Sequence, residues 1–185
     1  IVRAHVAAKE HGLKLIVGAE LVPRDGWPLI VWTPHRAAYG RLARLITLGR
    51  RQAPKGECYL NRDDILAASE GLLAGLLPPA DVTDASWTDS HRRDDCQKYR
   101  EAFGDRLYLL AEMHFGPDDQ ARADQLSQWA QQFRLPLLAA GDVHYHVPAR
   151  LPLHDVLSAI RQGTTVDQIG RKRFANAQRH LRTMQ

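Results

Sequence analysis

Leu135-Pro136-Leu137-Leu138-Ala139-Ala140-Gly141-Asp142-Val143-His144-Tyr145-His146 decides how the rest of the chain is read. It begins as a short continuous apolar run, the pattern of a strand buried on both faces. Gly141 interrupts the run, and Asp142 and His144 follow at once. Residues two apart in an extended chain project to one side, so a carboxylate and an imidazole leave the end of the strand together. Both are ligands for zinc or manganese. The same residues equally allow a plainer reading, in which Asp142 caps a turn and His144 sits on the surface.

Outward from that stretch the design recurs. Arg106-Leu107-Tyr108-Leu109-Leu110-Ala111-Glu112-Met113-His114 is another apolar run with polar groups at its exit, Glu112 and His114 again being two apart. Leu13-Lys14-Leu15-Ile16-Val17-Gly18 reads as a buried strand and is followed by Ala19-Glu20. Three predicted strands therefore end in metal-type ligands, at the edge where barrels and open parallel sheets gather their active sites. The candidate metal ligands are Glu20, His114, Asp142 and His144. They are enough for one zinc ion, which takes about four N, O or S donors, but not for a multi-metal cluster. The alternative is that Glu20 and Glu112 are solvated loop residues. His5, His11, His35, His91, His154 and His180 fall on helices or loops and read as surface or packing residues.

Between these runs lie helices. Residues 1–11 look like a helix already under way, ended by Gly12, with no cap ahead of it; this suggests a fragment of a longer chain. Leu29-Ile30-Val31-Trp32 is a strand, and Thr33-Pro34 makes a helix start with Thr33 as N-cap. That helix runs over about 35–51, with Ala38, Leu42, Leu45, Ile46 and Leu48 mostly on one face and Arg41, Arg44, Arg50 and Arg51 largely off it. Asn61 caps a short helix with acidic residues in its first turn. Residues 72–77 form a strand that Pro78-Pro79 stops. Helices follow over about 89–103, 119–133 and 153–160, with a last turn or two over 176–184. Alternating strand and helix argue for an α/β fold with parallel strands. There is no glycine-rich phosphate loop and no GxSxG elbow.

The chain has 185 residues, 44% hydrophobic and 25% charged, enough for one domain with a core. No apolar run is long enough to span a membrane, and no basic-then-apolar leader suggests secretion. Cys58 and Cys96 have no CxxC partner and read as reduced thiols of a cytoplasmic protein. The net charge of +4 and pI near 9.3 lean weakly towards polyanionic partners. Arg41, Arg44, Arg50, Arg51 and the run Arg171-Lys172-Arg173 are expected to be exposed, either as a contact for DNA or a neighbouring domain or as a solvated face.

Lys14-Leu15-Ile16-Val17-Gly18-Ala19-Glu20 resembles the PHP (polymerase and histidinol phosphatase) motif in which a Glu bridges metal ions, and residues 135–145 resemble its last motif, an Asp-x-His ligand pair. Tyr39-Gly40-Arg41-Leu42-Ala43-Arg44-Leu45-Ile46-Thr47 and Gly49-Arg50-Arg51-Gln52-Ala53-Pro54-Lys55-Gly56 resemble bacterial C-family replicative polymerase alpha subunits, especially the error-prone branch. Glu112-Met113-His114-Phe115-Gly116-Pro117-Asp118-Asp119 and Asn176-Ala177-Gln178-Arg179-His180-Leu181 fit that branch too. The resemblance covers nearly the whole chain. It implies a distorted β/α barrel with clustered metal ions, zinc or manganese, at the strand C-termini. Residues 1–185 would be a partial PHP domain.

The resemblance also implies a longer parent, a DNA-directed DNA polymerase of damage-induced mutagenesis and translesion synthesis. Its palm domain, which would use magnesium, is absent here, so no polymerase catalytic residue is expected. Primer-template DNA, deoxynucleoside triphosphates and other mutagenesis or replication proteins would be its partners, with no membrane. Two features depart from the family: its His-x-His opening and second motif would lie upstream of Ile1, and Pro28 stands in the region of its middle histidine. Two other functions compete, a free-standing PHP phosphoesterase such as a histidinol phosphatase and a non-catalytic scaffold with an eroded metal site.

Overall fold

The computed structural model describes residues 1–79 and 90–182, with only the backbone for 90–92 and 171. Its elements are α1 (Val2–Glu10), β1 (Val17–Leu21), β2 (Leu29–Thr33), α2 (Arg36–Arg51), α3 (Arg62–Ala67), β3 (Leu73–Leu76), α4 (Ser90–Phe103), β4 (Leu107–Glu112), α5 (Asp119–Phe133), β5 (Leu137–Ala140) and α6 (Leu151–Gln162). Residue 89, the expected start of the fourth helix, lies outside the described residues. The strands form one sheet in the order β1-β2-β3-β4-β5 that does not close on itself. The α/β class holds, and an unclosed sheet is what a partial barrel leaves.

The sheet is mixed rather than uniformly parallel. β1 pairs antiparallel with β2, and β2 antiparallel with β3. A parallel pair needs a crossover of about a dozen residues or more, and the link over residues 22–28 is too short for one. β3 and β4 are parallel, as expected of strands joined through a helix. Two reversals restore direction, so β1 runs in the same sense as β3 and β4.

Other boundaries move for local reasons. The first strand begins at Val17, not Leu13, and Leu13, Leu15 and Ile16 are exposed. Thr33 does not cap α2. It ends β2, where its hydroxyl donates to the Val17 carbonyl at 2.8 Å, and His35 takes the cap, its Nδ1 accepting from Ala38 N. No helix forms over the described part of 176–184. There the Asn176 side chain accepts from Gln178 N at 3.0 Å, a local bond that competes with helical ones.

The chain divides into two compact units, Ile1–Leu110 with Gln128–Leu138, and Ala111–Ser127 with Ala139–Gln185. The first holds the larger core. Leu29, Val31, Ala38, Leu42, Leu45, Ile65, Leu72, Leu76, Tyr99, Phe103 and Trp129 are buried in it. Trp27, in the loop before β2, packs edge-on against Phe133 with ring centres 5.5 Å apart. Arg106 ties the end of α4 to the approach of β3, donating to Ser69 O at 2.8 Å and Leu72 O at 2.7 Å. Arg44, Arg50 and Arg51 are exposed, as expected, whereas Arg41 is half-buried and pairs with Glu70 at 2.6 Å. In the second unit Lys172 and Arg173 are exposed, and the Arg171 side chain lies outside the described residues.

β5 is not the buried strand that its apolar run suggested. Leu137 and Leu138 are 43% and 37% exposed, because β5 stands at the edge of the open sheet. Both cysteines are free. Cys58 is exposed; Cys96 is buried, and burial pushes its thiol up to about 12, which leaves it protonated and unreactive.

Candidate functional site

The second unit draws three of the four candidate ligands into one neighbourhood. His114 follows β4, and its Nε2 lies 3.4 Å from the Gly141 carbonyl. Asp142 sits at a positive φ of 41°, a region that Asp tolerates better than most residues. The extended geometry expected of this stretch therefore fails at Asp142 itself. Its carboxylate nevertheless meets His144, with Nε2 3.1 Å from Oδ1.

Arg179 completes the arrangement. It pairs with Asp142 Oδ2, so both carboxylate oxygens have partners. It also lies over the Phe174 ring, 4.2 Å from the centroid. Phe174 stacks on His154 at 4.4 Å and meets His144 edge-on at 4.9 Å. The backbone holds this in register: His144 N donates to Arg179 O at 2.9 Å and Leu181 N to Tyr145 O at 3.1 Å. Asn176 reaches back to His114 O at 2.6 Å, and Arg182 to Met113 O at 3.2 Å.

Glu20 belongs to the first unit, exposed near the C-terminal end of β1. Among the described residues no three His, Cys, Asp or Glu side chains converge to hold a metal ion. Asp142 and His144 are bound to each other, and a guanidinium sits on the carboxylate where a cation would. Among the described residues, the donors as arranged do not by themselves make a site for a resident metal.

Sequence reading missed Arg179, Phe174 and His154 as parts of this cluster. The signal available for Arg179 was its place in the 176–181 stretch; nothing local marks Phe174 or His154.

Burial sets the electrostatics. It lowers the His114 imidazole below its ordinary 6.5, with the Arg179 charge adding to the effect, and lowers His154 likewise, with His144 adding. Folding thus disfavours both imidazolium forms. The unfolded chain takes up these protons near pH 6.5 and the folded chain only at lower pH, so stability is full above that value and falls as pH drops through it. The thermal midpoint should be lower at about pH 5 than at about pH 7.5, with both imidazoles titrating below 6.5 by proton NMR. Titration of both above that value would contradict the burial argument.

No family model matches the chain. It is 41% identical over 189 residues to an error-prone DNA polymerase of Rhodopirellula baltica, covering 100% of this chain and 16% of that protein. It is 42% identical over 185 residues to an error-prone DNA polymerase of Pseudomonas aeruginosa, covering 100% and 17%. With error-prone DNA polymerase 2 of Agrobacterium fabrum it shares 38% over 182 residues, covering 98% and 16%. The chain thus spans about a sixth of the length of the curated relatives it matches. It is a homologue, over its whole length, of one segment of the error-prone DNA polymerases.

Proposed function

We propose that this chain is the PHP-type segment of a longer, cytoplasmic error-prone DNA polymerase that extends primers on damaged templates and serves DNA repair and induced mutagenesis. The observation that carries the reading is the end-to-end match, at about 40% identity, to proteins of that name. An open α/β sheet with an Asp-x-His pair beyond β5 supports the PHP assignment. No helix of the described residues is long and apolar enough to cross a membrane.

The whole protein would take primer-template DNA and deoxynucleoside triphosphates, with magnesium held by carboxylates of a polymerase domain. It would work beside other mutagenesis or replication proteins. This segment would not carry nucleotidyl transfer. Its Asp142 and His144, with Glu20 and His114 as further candidates, would serve zinc or manganese only together with donors from elsewhere in the longer protein.

The phosphoesterase alternative is separable. The 185-residue chain, supplied with zinc or manganese, is assayed against histidinol phosphate and a generic phosphomonoester, and its bound metal is measured. Little bound metal and no turnover are expected. Turnover abolished by Asp142→Ala or His144→Ala would favour the phosphoesterase and contradict the proposal.

A further inference from the structure

Within the first unit, α4 and the end of α5 line a cavity of about 530 Å³ that shares no residue with the Asp142 cluster. Arg93, Cys96 and Arg100 follow the i, i+3, i+7 spacing of one face of α4, and Phe133 and Arg134 meet them from α5 and the residue beyond it. Cys96 and Phe133 are buried, while the three arginines are exposed.

The charge of this cavity is unbalanced. Among the described residues none of the three arginines pairs with a carboxylate. Arg93 is held by a neutral group instead. In the amide orientation that serves both, the Gln132 oxygen accepts from Arg93 Nη2 at 3.0 Å and from Nε at 3.1 Å. That contact positions the guanidinium without neutralising it. Glu101 is the carboxylate among the lining residues, and it accepts from Gln97 Nε2 at 3.0 Å. Burial keeps the Cys96 thiol protonated, so it adds no negative charge. Arg134 sits at φ 52°, the left-handed region that glycine usually fills after a helix. Strain kept where glycine would relieve it points to a use for the side chain, and here that side chain brings a third guanidinium to the cavity.

Guanidinium forks match carboxylates and phosphates. Three around one cavity exceed the need of a single carboxylate and suit phosphates joined in series. The volume falls in the range of small-molecule sites, roughly 300–1,000 Å³. Grooves for single strands track several backbone phosphates and stack bases on open aromatic faces, whereas Phe133 is only 6% exposed.

We propose that this cavity binds a compact polyphosphate, free or as the triphosphate of a nucleotide, through Arg93, Arg100 and Arg134. Calorimetric titration of the 185-residue chain, without divalent metal, uses tripolyphosphate and dATP as probes. Both should bind, and Arg93→Gln, Arg100→Gln and Arg134→Gln together should weaken them at least about ten-fold, because each guanidinium supplies charge-assisted bonds. Arg44→Gln, Arg50→Gln and Arg51→Gln together remove the same charge from α2 and should change affinity by less than about two-fold, since screened charges act locally. Arg134→Gly relieves the backbone and should fold at least as well, yet bind both probes at least about three-fold more weakly. Tighter binding of dATP would assign the ligand to a nucleotide, and equal affinities to the polyphosphate alone; either supports the site.

No binding, or equal losses in the two triple variants, overturns it, the second being attraction to net charge only. An oligothymidylate without a terminal phosphate that binds more tightly than both probes, through the same arginines, marks a strand groove and also overturns it. In the protein encoded by the full reading frame, phenylglyoxal modification of Arg134, read by mass spectrometry, should be slowed by tripolyphosphate. An Arg134 that is unreactive there without the probe is covered by another segment, which overturns the site in the longer protein. None of these results depends on the polymerase reading, which primer extension tests separately.

Discussion

Trp27→Ala is expected to destabilise the first unit by about 3–5 kcal/mol, the range for truncating a buried large aromatic. Trp27 is 1% exposed although it lies between β1 and β2 rather than in a strand. Its ring meets Phe133 edge-on at 82°, and its carbonyl accepts from the Tyr99 hydroxyl at 3.3 Å. The loop, α4 and α5 are thereby joined at one residue. Such a loss is a large share of the roughly 5–15 kcal/mol that holds a typical domain together. Urea unfolding followed by far-ultraviolet circular dichroism reads it without relying on the substituted fluorophore. A midpoint close to wild type would show that the loop repacks without its anchor.

A comparable loss is expected from Arg62→Ala. Arg62, the first residue of α3, pairs with Asp95 on α4, and the two side chains are only 17% and 12% exposed. Asp95 holds the guanidinium pKa above its ordinary value. The Arg62 backbone N also donates to Asp25 Oδ1 at 2.6 Å, a bond the substitution leaves in place. Removing the guanidinium strands a carboxylate away from water, which typically costs about 3–5 kcal/mol. The pair as a whole is worth less than that, because burying two charges is itself expensive. The double replacement Arg62→Met with Asp95→Leu should therefore be milder than Arg62→Ala. A double-mutant cycle measures the difference. Additive losses across the cycle would mean that the two groups do not act as a pair.

The α/β class was legible because helix and strand periodicities differ, and α2 shows it best: its predicted apolar face contains Ala38, Leu42 and Leu45, all buried. Strand direction was not legible. Alternating elements suggested parallel neighbours, while the short link over 22–28 turned the chain back on itself. Apolar runs also state that a segment favours cover without saying whether cover is in reach. Leu13, Leu15, Ile16, Leu137 and Leu138 are exposed for that reason.

The Asp142–His144 pairing was visible because the two residues are close in sequence. Their other partners were not: Arg179, Phe174 and His154 reach the cluster through tertiary contacts. An arginine is also a poor clue in a chain with 25 Lys and Arg. Its contact with Asp142 places the candidate ligand pair within an ion-paired network.

Primer extension tests the proposed function most directly. The protein encoded by the full reading frame and the 185-residue chain are incubated separately with a primed template, deoxynucleoside triphosphates and magnesium, on undamaged and damaged DNA. Extension by the long protein on both templates, and none by the 185-residue chain, is the expected result. A long protein that binds primed DNA but adds no nucleotide, or extension by the 185-residue chain alone, would contradict the assignment of this segment to the non-polymerising part of an error-prone DNA polymerase.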